Sequence, residues 1–175
     1  MIGTPGIGVE IGPRTVRAVR VSGAGWGRRP AQVLEIDSDA AAPGDVATTL
    51  RDHFGATARV AVALDLPLLC VKQLKLPALD ANEKRRIVAL EPERFFATRG
   101  EDIVAVARAE DNLVFAAREA LVTSWVTALE ELAPVEIVEP GPEALARALA
   151  RAGVSDAAVL RDGRNEGVEL LVLRG

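Results

Sequence analysis

The opening 22 residues limit the fold more than any other stretch. Residues 7–11 are apolar apart from Glu10 and stop at Gly12-Pro13. A β-branched run follows, Thr15-Val16-Arg17-Ala18-Val19-Arg20-Val21. Two such runs around Gly12-Pro13-Arg14 read as a β-hairpin, with proline confined to the turn because it has no N–H for a ladder. The Ala18-Val19 step looks like a break in the alternation and predicts a bulge. A glycine-rich turn, residues 23–30, holds Trp26, which either stands out as a contact residue or folds back onto the sheet. Residues 31–36 read as a third strand. Val46, Leu50 and Phe54 then recur at a spacing of four before Gly55, the signature of a helix with one apolar face and a glycine stop. Residues 59–64 are almost wholly apolar, as in a strand covered on both faces.

Three strands, a helix and a strand are the first half of a ribonuclease-H-like or actin-like subdomain. The pattern is then interrupted. Residues 69–76 read as a strand broken by Lys72 and Lys75, and Asp80 with Glu83 forms a capping-box pair ahead of a helix that Pro92 ends. Residues 103–109 and 113–117 flank Glu110-Asp111-Asn112, a turn composition. Residues 117–132 carry Leu121, Val122, Trp125, Val126, Leu129 and Leu132 on one helical face. A strand over 135–138, a helix over 140–152 and a hairpin over 157–173 complete the chain. The expected class is α/β: an actin-like core subdomain from residues 1–69 and 118–175, with a small inserted β-α-β-β subdomain at 70–117.

Composition excludes several chemistries. The 175 residues hold 25 acidic and 21 basic side chains, a net charge of −4, so nothing is set up to grip nucleic-acid phosphates. Aromatics make up 3% with no tyrosine, too few for base-stacking platforms. Cys70 is the single cysteine and His53 the single histidine, which excludes an internal disulfide and a His/Cys zinc site. No charged-then-apolar leader opens the chain, and no run approaches the roughly 20 apolar residues of a spanning helix, so a cytoplasmic location is expected. Ser22, Ser38, Ser124 and Ser155 lie in no nucleophile-elbow context. His53 reads as a helix C-terminal residue favoured by the dipole, and Cys70, in an apolar run, as a small core residue. Glu91 and Glu93 flank Pro92 as a solvated helix end rather than an acid–base pair. Arg85, Arg86, Arg94 and Arg99 are balanced by Glu83, Glu91, Glu93 and Glu101, a charge-laced helix face. Phe95-Phe96 either pack into the insert's core or line a groove for an apolar peptide.

With these segments in place, residues 7–19 resemble the first phosphate motif of actin-like ATPases, in the version of the pilus-assembly branch. Leu74-Lys75-Leu76-Pro77, then Ala89-Leu90-Glu91-Pro92-Glu93, then Val114-Phe115-Ala116-Ala117-Arg118 resemble that branch too. So do Val135-Glu136-Ile137-Val138-Glu139-Pro140 and Glu143-Ala144-Leu145-Ala146. Together they resemble the N-terminal half of the PilM family of type IV pilus assembly, or of the cytoplasmic part of the GspL family of type II secretion. The resemblance implies a noncatalytic cytoplasmic scaffold, peripheral to the inner membrane. Its partner would be a bitopic PilN-like platform protein or a secretion or pilus ATPase, contacted through the insert at Phe95, Phe96, Arg86 and Glu91. It also implies a phosphate hairpin at Glu10, Gly12, Thr15 and Arg17, for ATP with magnesium. That hairpin departs from the family pattern. Glu10 stands where an Asp is usual, Pro13 removes an N–H donor, and Arg14 is bulky where small residues are expected. The second phosphate motif would fall near Arg161-Asp162-Gly163-Arg164, a poor match, so no cofactor is expected. Two alternatives stay open: the N-terminal lobe of an actin-like ATPase or sugar kinase with a degenerate nucleotide motif, and a module that forms a homodimer through an uncovered apolar face.

Overall fold

In the computed structural model, described for residues 6–22, 29–38, 41–75, 79–97, 100–108, 112–154, 156–162 and 168–173, the elements follow the chain in this order. β1 (Gly6–Ile11), β2 (Thr15–Ser22) and β3 (Arg29–Asp37) precede α1 (Pro43–Phe54) and β4 (Arg59–Leu64). β5 (Cys70–Gln73), α2 (Ala81–Leu90), β6 (Ile103–Ala107), β7 (Leu113–Arg118) and α3 (Glu119–Glu130) follow. β8 (Val135–Pro140), α4 (Gly141–Arg151), β9 (Ala157–Asp162) and β10 (Val168–Leu173) end the chain. Trp26, Arg99, Glu110, Asp111, Ser155 and residues 163–167, all singled out in the sequence, lie outside the described residues. The chain divides into two compact units, residues 1–68 with 126–175, and residues 69–125.

In the first unit a five-stranded sheet runs in the order β3-β2-β1-β4-β8, with the β1–β2 and β2–β3 pairs antiparallel and the β1–β4 and β4–β8 pairs parallel. Ile7, Val9 and Ile11 of β1, Val16 and Ala18 of β2, and Val60, Val62 and Leu64 of β4 are buried on one face. The apolar stripe of α1, with Val46, Ala47, Leu50 and Phe54, is buried as well, as are Leu129 and Ala133. Each of the larger of these side chains contributes on the order of 2 kcal/mol by leaving water. Arg51 on α1 donates to the carbonyl of Glu131, and Gly55 at a φ of 68° closes the helix, a conformation that favours glycine.

Two expectations change here. β4 is buried on one face only, because the alternate positions carry small alanines: Ala61 is exposed and Ala63 half-buried. An all-apolar run of alternating large and small residues thus mimics a two-sided strand. The bulge falls between Arg20 and Val21, not at Ala18-Val19. Ala18 is buried and Val19 half-buried, so the two apolar neighbours keep the alternation by pointing to opposite faces.

In the second unit β5, β7 and β6 form an antiparallel sheet in that order. Leu74, Val88, Ala107 and Val114 make its core, with Phe95, Phe96 and Ala105 against them. The Asp80 carboxylate accepts from the N–H groups of Asn82 and Glu83, and Glu83 accepts from the Asp80 N–H, so the capping box forms as the spacing predicts. Pro92 ends α2 and opens a single 3-10 turn, residues 92–94. Asn112 takes a φ of 57° in the β6–β7 turn, a left-handed conformation that asparagine tolerates. Cys70 is a further correction: it is exposed, like every residue of the short edge strand β5.

Candidate functional site

The β1–β2 turn holds the hairpin residues singled out in the sequence. Gly12 donates its N–H to the Thr15 carbonyl at 2.9 Å, and the Arg14 carbonyl accepts from the Ser38 N–H at 2.7 Å. The Ile11 carbonyl accepts from the N–H of Asp65 at 2.9 Å. Asparagine 112 is the one non-glycine residue with positive φ among the described residues, so Arg14 has negative φ. A phosphate cradle needs N–H groups aimed outward together; here the Gly12 N–H faces its own strand partner and Pro13 has none.

The carboxylate is engaged as well. Glu10 and Arg17 face each other across the β1–β2 pair, and Arg17 faces Glu35 across β2–β3. Arg17 donates to Glu10 at 3.3 Å and to Glu35 at 3.2 Å. Partial desolvation works against the guanidinium's charge, but the hydrogen bonds to Glu10 and then Glu35 outweigh it and hold the Arg17 pKa above its ordinary value. In register, Glu10 also faces Ala63, which faces Glu139. Glu139 is bound by both amino groups of Arg147, whose pKa that hydrogen bond raises. The residues in register thus cross all five strands, charged on four of them and interrupted by Ala63 on β4, with Gly8, Val19, Ala61 and Ala144 beside them lining a shallow hollow of about 350 Å³. The alignment of Glu35, Glu139 and Arg147 with the hairpin residues had no sequence signal, because only the tertiary fold brings positions so far apart together. Asp65, a buried carboxylate just past β4, was likewise missed.

The insert residues are placed differently from one another. Phe95 and Phe96 are half-buried against the core of Leu74, Val88, Ala107 and Val114. Arg86 is exposed on α2. Glu91, also exposed, is bound by Arg94, and that hydrogen bond raises the Arg94 pKa. A cleft of about 530 Å³ lies beside them, between the α2 end with its 3-10 turn and strand β6. Leu90, Pro92, Ile103 and Val104 supply its apolar lining, and Glu93, Glu101, Asp102 and Glu119 its carboxylates. Among the described residues no cluster of three or more His, Cys, Asp or Glu suits a metal ion, and no helix is long and apolar enough to cross a membrane.

No family model matches the sequence, and no curated protein matches it. Solved structures do. The PilM–PilN type IV pilus biogenesis complex aligns over 97% of this chain and 62% of the other, at 19% identity and a TM-score of 0.63. The cytoplasmic domain of EpsL, an inner-membrane component of the type II secretion system of Vibrio cholerae, aligns over 78% of this chain and 57% of the other, at 9% identity and a TM-score of 0.56. A Bacteroides thetaiotaomicron protein with an actin-like ATPase fold and unknown function aligns over 90% and 60%, at 8% identity and a TM-score of 0.50. The fold is actin-like. This actin-like chain spans roughly three-fifths of the length of each solved structure it matches.

Proposed function

We propose that this chain is a noncatalytic scaffold piece of a pilus or type II secretion platform, working on the cytoplasmic side of the inner membrane. Its insert, residues 70–117, carries the partner contact, and the partner is a bitopic PilN-like protein or a secretion or pilus ATPase. The observation that carries the reading is the backbone match to a pilus biogenesis complex over 97% of the chain, in the same segments whose motifs resemble that family. The hairpin supports the noncatalytic half. A glutamate tied to Arg17, a turn N–H bonded to Thr15 and a proline without a donor do not fit a nucleotide's phosphates.

Arg86 and Glu91, exposed on α2 and at its end, are the surface members of the proposed contact, while Phe95 and Phe96 support it from the core side. The test is titration calorimetry of the chain against the cytosolic tails of bitopic membrane proteins encoded beside it. We expect saturable binding of one tail, weakened by Arg86→Glu without a change in melting temperature. Undiminished binding by Arg86→Glu together with Phe96→Ala would remove the insert from the interface, and saturable magnesium–ATP binding would overturn the noncatalytic reading.

A further inference from the structure

The register of β6 determines where its backbone points. At one end of the β6–β7 pair the Glu119 N–H donates to the Asp102 carbonyl at 2.9 Å, and at the other the Arg108 N–H donates to Leu113 at 2.7 Å. An antiparallel ladder alternates, so residues 102, 104, 106 and 108 bond toward β7 while Ile103 and Ala105 turn their N–H and C=O groups the other way. β6 is an edge strand, and Ile103 and Ala105 line the 530 Å³ cleft directly. Edges of this kind are usually blunted by charge, by proline or by a covering element. Here α2 and its 3-10 turn lie against β6 and leave a cleft along Ile103 and Ala105. Leu90 is 67% and Val104 41% exposed, so apolar surface stands ready beside the backbone groups. The charges around it are mostly of one sign. Glu101 lies 4.0 Å from Arg118, whereas Asp102 and Glu119 enter no ion pair among the described residues.

We propose that the open edge of β6 takes up an extended segment of a partner chain as an added strand, and that this segment places basic side chains on either side of an apolar one. Backbone hydrogen bonds to Ile103 and Ala105 hold the strand, Leu90 receives its apolar side chain on the α2 face, and Asp102 and Glu119 read its charges. The inference rests on the partner-binding reading of the insert and adds a backbone contact that Arg86, Glu91, Phe95 and Phe96 do not supply.

The experiment uses the full 175-residue chain, labelled for amide NMR, with two ten-residue probes: one alternating valine with lysine, the other alternating valine with glutamate. The lysine peptide should shift the Ile103 and Ala105 amides saturably and slow their hydrogen exchange, and the glutamate peptide should leave them unmoved. Asp102→Lys with Glu119→Lys should weaken the lysine peptide at least tenfold. Ala105→Pro removes an outward N–H and no β7 bond, so it should abolish the shifts at an unchanged melting temperature. If Ala105→Pro unfolds the insert, Ala105 N-methylation by semisynthesis removes the same donor. Equal response to both peptides, no saturable shift, or binding that survives loss of the donor overturns the proposal. A concentration-dependent dimer abolished by Ala105→Pro would assign the edge to a second copy and overturn it too. Response to the lysine peptide with no tail bound sinks the platform reading alone, and a tail bound indifferently to Ala105→Pro sinks the added strand alone.

Discussion

The β1–β2 turn and the β6 edge are both backbone sites on sheet margins, and they differ in where their hydrogen-bonding capacity goes. At the turn, Gly12 bonds Thr15, Arg14 bonds Ser38, and Glu10 is held by an arginine that also holds Glu35. At the edge, Ile103 and Ala105 face a cleft and Asp102 and Glu119 stand without ion pairs among the described residues. A motif that resembles a ligand site can therefore be internally satisfied, while a stretch with no motif keeps groups available for another molecule. Sheet geometry explains the asymmetry: an interior strand bonds on both sides, and an edge strand bonds on one.

The largest effect that sharpens this comparison lies in the two cores beneath the sites. Leu50 is fully buried in the first unit, and Leu50→Ala should cost about 3 kcal/mol, the transfer term plus the cavity left behind. Val88 is equally buried in the second unit, and Val88→Ala should cost about 2 kcal/mol, because fewer methyl groups are removed. Urea denaturation measures both. Hydrogen exchange should show Leu50→Ala loosening the five-stranded sheet and Val88→Ala loosening residues 69–125. Uniform loosening by either variant would mean the two units share one cooperative core, and the turn and the edge could not then be treated separately. A smaller effect belongs to the helix that borders the cleft. Asp80→Ala removes both capping bonds of α2 and should cost about 1 kcal/mol. It should also raise exchange at the N-terminal turn of α2 while leaving the β1–β2 turn unchanged.

How much of this was legible in the sequence follows from the range of the interactions. The capping box of Asp80 and Glu83 spans three residues and needs no tertiary information, so spacing alone finds it. The sheet order follows from a meander, a covering helix and a parallel return, each written locally in the hydrophobic period. Burial on the second face of β4 was misread because Ala61 counts as apolar at any exposure. Cys70 was misread because an apolar run at a sheet edge looks like one in a sheet interior. The Glu35–Arg17–Glu10 row and its continuation to Glu139 depend on the register of four strand pairs drawn from residues 10 to 139. Likewise the outward backbone of Ile103 and Ala105 depends on which residues of β6 bond β7, and composition carries no trace of that.

The smallest effect bears on the turn itself. Arg17 and Glu10 are 29% and 26% exposed and Glu35 42%, so their ion pairs are partly screened by water. Pairs at that exposure are worth up to about 1 kcal/mol each, and salt reduces them further. Arg17→Met keeps the length of the side chain along the sheet and removes its charge together with its two ion pairs, to Glu10 and to Glu35. The expected loss is below about 1 kcal/mol in dilute buffer and smaller in concentrated salt, measured by paired urea melts. A loss well above that, insensitive to salt, would mean that Arg17 anchors the turn through packing of its stem rather than through charge. The turn would then be closed to ligands by its architecture and not by a pairing of charges that substitution can undo, and restoring an aspartate or a glycine there would not reopen it.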